Sequence, residues 1–280
     1  MKVLIVGTNS FLAQQLTKQL ATDNGWLIDG IYNKNLNKTD RSNFRKLIQV
    51  DDLESLSDEY DTVYLIAAYI PYGKYTTADI KLITSNITLP ARVLTHFKSA
   101  KLVYASSVAI YGEPHHETIT EDTSFVNPTK YGASKLAGET VISNADQFAI
   151  IRFTSIYGKG MTTRTFLPMV VDKAKTTKQI TLFGDGSRKQ DYIHVNDAAD
   201  LLIAVAKHKE NAVLLGCNGN SVSNVTVAET IQSLLSDVSI SFKGEDHSPS
   251  FDYSSRRTLN LLNFKPKVTL REGLEMMIYE

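Results

Sequence analysis

The sequence predicts a doubly wound α/β fold, in which helices cover both faces of a parallel sheet. Short apolar runs alternate with stretches of helical periodicity through the first half of the 280-residue chain. Within these runs nearly every position is apolar, a pattern typical of parallel strands that are buried on both faces. Two long helical patterns flank one of the runs, as the crossover helices of such a sheet do.

Six apolar runs are predicted as strands, and the two long patterns as helices on one face of the sheet. The strands are KVLIV (2–6), WLIDGIY (26–32), KLIQV (46–50), TVYLIAA (62–68), KLVYAS (101–106) and FAIIRF (148–153), and the helices cover about residues 75–98 and 129–147. After Gly158 the elements become smaller and turn clusters such as FGDGS (183–187) follow. We therefore predict a first domain over 1–157, rejoined by about 191–215, and a smaller mixed α/β lobe over 158–280.

Composition and charge indicate an ordinary globular protein. Thirty basic and thirty acidic residues cancel, and neither sign forms a long block, so we expect neither nucleic acid nor a membrane as a partner. The chain begins with the strand-like MKVLIV and has Cys217 as its single cysteine, which favours a reducing cytoplasm. His115, His116 and Glu117 are neighbours in a predicted loop without a matching ligand cluster elsewhere, so we expect no metal site.

The turn after the first strand, VGTNSFLA (6–13), has the position of a phosphate-binding loop, because such a turn presents backbone amides and a helix N-terminus to a pyrophosphate. Gly7 occupies the tight-turn position of a dinucleotide-binding fingerprint, and Ala13 is an accepted replacement for its third glycine. Ser10 stands where the second glycine lets the backbone approach the phosphate, although its hydroxyl could donate a hydrogen bond. Taken alone, the turn does not distinguish a cofactor site from an ordinary strand-to-helix connection.

The residue that would contact an adenosine ribose falls about 20 positions further on, at the end of the second strand. Counting from Ala13 leads to Asn33, which lacks the negative charge that would repel a 2′-phosphate. Lys34 could attract that phosphate, with a solvated loop residue as the alternative. The expected cofactor is therefore NADP or NAD, with NADP favoured.

YGASK (131–135) carries the first catalytic signal. Tyr131 and Lys135 are four residues apart in a helical pattern and therefore share one face. Lowering the pKa of a phenol from about 10 to about 7 requires roughly 4 kcal/mol of phenolate stabilisation. An ammonium about 4 Å away supplies about that much at an effective dielectric of about 20. Tyr131 could then exchange a proton with a substrate hydroxyl or carbonyl near neutral pH.

Hydroxyl groups follow the fifth strand, in YASSVAIYGEP (104–114). Ser106 and Ser107 stand at the carboxyl edge of the sheet, where ligands of doubly wound folds bind. Ser107 can hydrogen-bond the same substrate oxygen that Tyr131 protonates. A turn-forming role is the ordinary alternative for a serine at a strand end, but the Tyr131 and Lys135 pair favours a functional one.

In their order along the chain, these motifs resemble those of the extended short-chain dehydrogenase/reductases, which include the NAD-dependent epimerase/dehydratases that modify nucleotide sugars. The resemblance rests on VGTNSFLA, DDL (51–53), LIAA (65–68), SNITLPARVL (85–94), YASSVAIYGEP, TEDTSFVNPTKYGASKLAGE (120–139), IIRFTSIYGKG (150–160), LFGDGSRKQDYIHVNDAA (182–199) and LNFKPKVTLREGL (262–274). It extends over essentially the whole chain. It implies a Rossmann fold whose first domain binds the dinucleotide, a substrate-binding lobe, and a homodimer formed through the two long helices.

The resemblance also implies the roles of individual residues. The catalytic residues would be Ser107, Tyr131 and Lys135, with Lys135 also holding the nicotinamide ribose. Together with Tyr131, Lys135 and the Asn33 and Lys34 found by counting, the implied cofactor-binding residues are Gly7, Ser10, Phe11 and Leu12 at the pyrophosphate, Asp52 and Leu53 at the adenine, Ala67 and Ala68 near the ribose, and Asn86 on the inner wall. A helix N-cap is an alternative role for Asp52.

Departures from the family pattern bear on the substrate. Ser155 stands where many relatives carry an asparagine that holds the sugar nucleotide, and Gln190 replaces an arginine that contacts the diphosphate. The candidate substrate-binding residues are therefore Ser106, Ser107, Ser155, Arg188, Gln190 and Arg256, with Lys189 and Arg257 as further candidates for the phosphates. Val108 and Ala109 follow Ser107 where dehydratases carry acids, and because apolar side chains cannot move protons, dehydration is disfavoured.

Three functions are compatible with this interpretation. The favoured one is NAD(P)-dependent hydride transfer to a nucleotide-activated sugar by a 4-keto sugar reductase, because an imperfect pyrophosphate turn and Lys34 suit an exchanging NADPH. The alternative is a nucleotide-sugar 4-epimerase, which oxidises and re-reduces the sugar with a cofactor that stays bound. The third is a non-catalytic NAD(P)-binding sensor or scaffold, against which the complete set of Ser107, Tyr131 and Lys135 argues.

Overall fold

The structure, a computed structural model, describes residues 1–37, 39–71, 80–115, 118–162 and 165–280. Its strands are β1 (Lys2–Val6), β2 (Leu27–Tyr32), β3 (Lys46–Gln49), β4 (Thr62–Leu65), β5 (Lys101–Ser107), β6 (Thr118–Ile119), β7 (Phe148–Phe153), β8 (Ser155–Tyr157), β9 (Gln179–Phe183), β10 (Lys189–Gln190), β11 (Tyr192–His194), β12 (Ala212–Gly216), β13 (Val222–Ser223), β14 (Ser239–Lys243) and β15 (Asp252–Tyr253). Its helices are α1 (Phe11–Ala21), α2 (Ile80–Ile83), α3 (Leu89–His96), α4 (Lys130–Ile142), α5 (Phe166–Thr176), α6 (Val195–Lys207), α7 (Asn224–Leu234), α8 (Arg256–Leu262) and α9 (Leu270–Tyr279). A π-helical turn, Thr84–Thr88, joins α2 to α3, and short 3₁₀ helices cover Arg41–Asn43, Val50–Ser55 and Val108–Tyr111.

Seven strands form one parallel sheet in the order β12-β7-β5-β4-β1-β2-β3. Strand β1 pairs with both β2 and β4, so the chain runs outward from β1 in two directions, which defines the switch point of a doubly wound sheet. The six predicted strands are all present, and the predicted fold class is confirmed. The seventh strand, β12, lies beside β7 and comes from the segment predicted to rejoin the first domain.

The helix boundaries follow from local side-chain hydrogen bonds. α4 begins at Lys130 because the Thr129 hydroxyl accepts a hydrogen bond from the Gly132 N–H at 3.2 Å. It ends at Ile142, before the predicted residue 147, because the side chains of Ser143 and Asn144 donate to the Thr140 carbonyl at 3.0 and 2.7 Å and compete with the helical pattern. The start of the predicted helix 75–98 lies outside the described residues, and its remainder is α2, the π-helical turn and α3.

The C-terminal part has a second apolar core, formed by α5, β9, β11, α7 and α9. Smaller two-stranded sheets surround it, with β9 parallel to β14, β8 parallel to β11, and β10 antiparallel to β13. Helix α6 returns to the main sheet and packs against α1. The assignment of a dinucleotide-binding domain and a substrate-binding lobe to these two cores stays a prediction.

Candidate active site

The carboxyl ends of β1, β2 and β4 open into a cavity of about 580 Å³, called here the first cavity. It lies at the switch point of the sheet, where doubly wound folds bind dinucleotides. Its lining consists of Val6, Gly7, Thr8, Asn9, Ser10, Ile31, Tyr32, Asn33, Val50, Asp51, Ala67, Ala68, Thr84, Ser85, Thr88, Leu89 and Arg92.

Gly7 and Ser10 shape the turn at the base of this cavity. Gly7 has a φ of +101°, and a Cβ there would lie 2.7 Å from the backbone N and Cα of Ala67, so only glycine fits. The Ser10 hydroxyl caps α1 by accepting a hydrogen bond from the Ala13 N–H at 3.3 Å, which leaves its hydrogen for a ligand. The turn therefore keeps the tight bend and the open helix N-terminus of a phosphate loop despite its missing glycine.

Phe11 and Leu12, predicted at the pyrophosphate, turn their side chains toward the core. Leu12 is 5% exposed and belongs to the main apolar core, and Phe11 packs against the same core. Both residues stand in the first turn of α1, whose inner face covers the sheet. Phe11 and Leu12 can therefore contact a phosphate only through their backbone N–H groups.

On the far side of the first cavity the lining differs from the prediction by one or two residues. Val50 and Asp51 line the cavity, whereas Asp52 is exposed outside the lining and Leu53 is fully buried in the core. The 3₁₀ helix Val50–Ser55 accounts for this shift, because it turns successive side chains by about 120°.

The charges around the first cavity do not favour a 2′-phosphate. Asn33 lines the cavity, but Lys34 is exposed and lies outside the lining. Arg92, which the sequence analysis missed, is in the lining and donates to both carboxylate oxygens of Glu54 at 2.7 Å. Because Arg92 is compensated by Glu54, the described lining offers no unpaired cation, while Asp51 adds a negative charge.

Ala67 and Ala68 line the first cavity, but Asn86 does not, because it is fully buried behind it. The Asn86 side chain accepts a hydrogen bond from the Tyr69 N–H at 2.8 Å and donates to the Tyr69 carbonyl at 3.0 Å. It also donates to the Ser134 hydroxyl at 2.9 Å. Asn86 therefore fixes the loop after β4 against α4.

A second cavity of about 310 Å³ lies beside the ends of β5 and β7. It brings together four of the predicted substrate-binding residues, Ser107, Ser155, Arg188 and Gln190. The other lining residues are Val108, Ala109, Gly112, Phe153, Thr154, Lys189, Asp191, Pro249, Phe251 and Tyr253. The Nε atom of Arg188 is buried without a hydrogen-bond partner among the described residues, so it can receive an acceptor such as a phosphate oxygen.

Two predicted substrate-binding residues, Ser106 and Arg256, lie outside the second cavity. Ser106 is 5% exposed and its hydroxyl donates to the Glu139 carboxylate. Successive side chains of a strand point to opposite faces, so Ser106 and Ser107 cannot both face the cavity. Arg256 is exposed at the start of α8. The structure therefore places neither side chain where a substrate contact was expected.

Asp191, which the sequence analysis missed, organises one wall of the second cavity. It is 2% exposed and accepts hydrogen bonds from the Thr154 hydroxyl at 2.7 Å and from the N–H groups of Asn218, Gly219 and Asn220 at 2.8, 2.8 and 3.2 Å. Burial raises the pKa of this carboxyl, and these hydrogen bonds oppose the rise. Thr154 precedes Asp191 by 37 residues and the backbone donors follow it by 27 to 29, so the sequence carries no local signal of this role.

Helix α4 carries the predicted catalytic pair against the turn that follows Ser107. Tyr131 is half-buried in the first turn of the helix, and a Cβ on the next residue, Gly132, would overlap the carbonyl oxygen of Ala109. The Ser107 hydroxyl accepts a hydrogen bond from the Ala109 N–H at 3.2 Å and keeps its own hydrogen for a ligand. The close packing at Gly132 therefore brings the start of α4 to the same edge of the sheet as Ser107.

Lys135 is buried one turn further along α4. It is 1% exposed, its Nζ has no hydrogen-bond partner among the described residues, and the nitrogen lies 3.9 Å from the centre of the Tyr104 ring. Burial lowers the pKa of Lys135 to about 7, and the nearby Glu139 opposes this shift. The lysine is therefore only partly charged at neutral pH, and hydroxyl acceptors from a ligand would stabilise its ammonium form.

The described ranges contain neither a metal-binding cluster nor a helix that could span a membrane. No group of three or more His, Cys, Asp or Glu side chains could hold a metal ion there, and His116 and Glu117 lie outside the described residues. None of the helices described combines the length and the apolar character that a bilayer crossing requires.

The sheet order, the glycine turn at the switch point and the buried lysine one turn from a tyrosine define a Rossmann-type enzyme of the short-chain dehydrogenase/reductase class. The chain belongs to the NAD dependent epimerase/dehydratase family, whose model matches residues 3–216. The resemblance found in the sequence and the expectation of an enzyme of this type are confirmed by this match.

Known proteins agree with the family assignment. A protein from Methanocaldococcus jannaschii is 28% identical over 198 residues, which span 64% of this chain and 62% of that protein. The UDP-glucose 4-epimerase of Lactobacillus helveticus is 26% identical, with 95% of this chain and 92% of that protein covered. The crystal structure of UDP-glucuronic acid 4-epimerase from Bacillus cereus with UDP-glucuronic acid and NAD has the same fold, with a TM-score of 0.85 at 22% identity over 99% of this chain and 98% of that chain.

Proposed function

We propose that the protein is an NAD-dependent nucleotide-sugar epimerase that inverts a hydroxyl-bearing carbon of the sugar, C4 in the first instance. The observation that carries this proposal is the buried Lys135 Nζ, which lacks a hydrogen-bond partner among the described residues and stands one turn from Tyr131. The relatives described as UDP-glucose and UDP-glucuronic acid 4-epimerases support UDP-hexoses and UDP-hexuronates as the first substrates to test.

The residues of the first cavity fit NAD better than NADP. The Gly7 turn and the N-terminus of α1 would hold the pyrophosphate, Asn33 and Asp51 the adenosine, and Lys135 the nicotinamide ribose. The earlier preference for NADP depended on Lys34, which lies outside the lining. When bound, NAD would supply a hydride acceptor that becomes a hydride donor after oxidation of the sugar.

Proton transfer falls to Tyr131. The Tyr131 phenolate would take the proton of the reacting sugar hydroxyl during oxidation and return it to the oxygen during reduction of the ketone from its other face. The Lys135 ammonium favours the phenolate through its positive charge, and the Ser107 hydroxyl donates a hydrogen bond to the reacting oxygen. Val108 and Ala109 provide no acid or base beside that oxygen, which argues against dehydration.

Arg188 is the proposed contact for the substrate diphosphate. Its buried Nε faces no partner among the described residues, whereas the Gln190 side chain donates to the Asn224 side-chain oxygen at 3.1 Å. Gln190 is thus fixed in the wall of the second cavity, and Arg188, two residues before it, supplies the positive charge that Gln190 lacks.

A 4-keto sugar reductase is the weaker candidate, because the structure weakens the two sequence arguments for it, the imperfect pyrophosphate turn and Lys34. The turn at Gly7 is tight despite its replaced glycine, and Lys34 does not reach the cavity lining. An epimerase needs no exchange of cofactor. This is consistent with a site in which the Gly7 turn would hold the pyrophosphate of NAD and Lys135 its nicotinamide ribose. A homodimer through the two long predicted helices, about residues 75–98 and 129–147, stays a prediction.

The test is turnover of UDP-glucose and UDP-glucuronic acid by purified protein with trace NAD and no other reductant. We expect the C4 epimer by NMR, and a Tyr131→Phe variant that binds NAD normally but turns over 10²- to 10⁴-fold more slowly, about the range for loss of a general acid/base. Product formed only from a keto sugar, with one NADPH consumed per turnover, would identify a reductase. Absence of turnover together with tight NAD binding would favour the non-catalytic sensor or scaffold.

A further inference from the structure

The closest carboxylate to Lys135 on its own helix does not pair with it. Glu139 follows Lys135 by four residues, the spacing at which opposite charges on a helix normally attract and meet. Glu139 does act on Lys135 electrostatically, since it raises the pKa of the lysine against the effect of burial. The Lys135 Nζ nevertheless has no hydrogen-bond partner among the described residues.

The reason is that Glu139 is already held by two other elements. Arg152 on β7 donates from Nε to both Glu139 oxygens at 3.2 Å and from Nη2 to Oε2 at 2.8 Å. The hydroxyl of Ser106 on β5 donates to Oε1 of the same carboxylate. The side chains of Arg152 and Glu139 are 8% and 5% exposed, so this pair is shielded from water.

Arg152 is itself fixed on its other side. Its Nη1 donates to the Tyr111 hydroxyl at 2.9 Å and to the Glu121 carbonyl at 2.7 Å. The guanidinium therefore has a fixed plane, and its bidentate contact sets the orientation of the Glu139 carboxylate.

The Lys135 ammonium lies over an aromatic ring rather than against a carboxylate. The ring of Tyr104 on β5 lies 3.9 Å below the nitrogen, a cation-π contact that favours the charged form without supplying an anion. Among the described residues, the titratable and charged groups around Lys135 are Tyr104 from β5, Tyr131 and Glu139 from α4 and, through Glu139, Arg152 from β7.

We propose that Arg152 and Ser106 are positioning residues that restrain the Glu139 carboxylate and so keep the Lys135 ammonium unpaired and available to the nicotinamide ribose and to Tyr131. This inference rests on the proposed function for the identity of the ligand, but not for the restraint itself. Without Arg152, Glu139 would be a buried carboxylate lacking its cation, and Lys135 is the cation one helical turn away. The restraint therefore prevents Glu139 from forming an ion pair with Lys135 on the same helix.

The test compares Arg152→Met, Glu139→Gln and the double variant with wild type. In cofactor-free protein labelled with ¹³Cε-lysine, with the Lys135 signal assigned through Lys135→Arg, we expect Arg152→Met to raise the pKa of Lys135 by about one unit, as a newly paired carboxylate does. NAD affinity by calorimetry should fall about tenfold, because a charged hydrogen-bond donor is diverted from the ligand. On the Glu139→Gln background, Arg152→Met should change the pKa of Lys135 by no more than about 0.3 unit and the NAD affinity by no more than about twofold.

The matched control is Arg45→Met. Arg45 makes a similar two-pronged contact with the buried Asp29 on β2, at 3.1 and 2.8 Å, but its carboxylate is not one of the charges acting on Lys135. We expect it to lower the temperature of unfolding without moving the pKa of Lys135 or the affinity for NAD. If Arg152→Met does not fold, Ser106→Ala removes one of the two restraints and should shift the same quantities in the same direction, by about two- to threefold in affinity.

Two results would overturn the inference. One is a folded Arg152→Met protein in which the pKa of Lys135 is unchanged. The other is an equal effect of Arg152→Met with and without the Glu139 carboxylate, which would show that Arg152 acts only by supporting the fold. If wild type fails to bind NAD, the proposed function fails, whereas the lysine titration still decides whether the restraint exists.

Discussion

At the scale of single residues, the burial of Lys135, which we propose serves catalysis, opposes stability. Burial lowers its pKa from an ordinary 10.5 to about 7, so the unfolded chain binds the proton more tightly than the folded one. Between pH 7 and 10 the unfolded state therefore carries more protons, and the free energy of unfolding rises with pH by at most about 1.4 kcal/mol per pH unit from this group.

The corresponding prediction concerns Lys135→Met without cofactor. At pH 7 the variant should have a larger free energy of unfolding than wild type, because it removes a partly charged group from the core, and the difference should shrink as the pH rises toward 10. Urea unfolding at pH 7, 8 and 9 measures both trends, and the comparison cancels the other titrating residues. A constant difference across this range would contradict the lowered pKa.

Arg188 carries the second residue-scale prediction. Arg188→Met should weaken UDP binding by about 1.5 to 3 kcal/mol, because the proposed contact of the buried Nε with a phosphate oxygen would be lost. Arg256→Met serves as the control, since Arg256 is exposed outside the second cavity and should leave UDP affinity unchanged. Calorimetric titration of UDP checks both, and equal losses in the two variants would point to a general effect of surface charge.

Residues near one another in the chain were the ones that sequence could predict. Tyr131 and Lys135 follow from helical spacing, and Gly7 follows from its place after an apolar strand. Asp191 and Arg92 were missed because their partners are distant in sequence, and Ser106 was misplaced because the phase of the strand decides which serine faces the cavity.

At the scale of elements, the close approach of α4 to β5 depends on Gly138. A Cβ there would overlap the Tyr104 hydroxyl and lie 2.6 Å from the Asn86 carbonyl oxygen. Gly138→Ala should therefore displace α4 and lower the free energy of unfolding by about 1–3 kcal/mol, the usual cost of overpacking, even though alanine favours helices.

Gly25→Ala is a suitable control for that experiment. Its Cβ would meet only the Asp23 carboxylate at 3.2 Å, in an exposed turn, so the change in unfolding free energy should stay within about 0.5 kcal/mol. Urea unfolding measures both variants. Equal stability of Gly138→Ala and wild type would show that α4 can move away from Tyr104 without loss.

Strands were easier to predict than the segments between them. Burial on both faces imposes continuous apolar runs, and β1, β2, β4, β5 and β7 follow those runs within a few residues. The 3₁₀ helix Val50–Ser55 has no comparable sequence pattern, because the conformation of a short polar segment depends on its tertiary contacts. Its geometry places Asp51, rather than Asp52, in the cavity lining.

At the scale of the whole molecule, ligand binding should appear as a gain in stability. NAD at 100 times its dissociation constant should raise the free energy of unfolding by about 2.7 kcal/mol, whereas NADP at the same concentration should raise it less. The reason is that the described lining of the first cavity offers a 2′-phosphate no unpaired cation and places the Asp51 carboxylate nearby. Thermal unfolding with each nucleotide measures this, and a larger shift with NADP would reverse the cofactor assignment.

The two cavities draw on separate stretches of chain: the first uses residues 6–92 and the second residues 107–253. Amino-acid replacements that change sugar choice can therefore accumulate among the residues that line only the second cavity, without altering the first cavity or the cofactor-facing residues of α4. A library randomised only at lining residues of the second cavity such as Ser155, Lys189 and Phe251, with Tyr131, Lys135 and Arg152 kept, should yield altered sugar preference with undiminished cofactor retention.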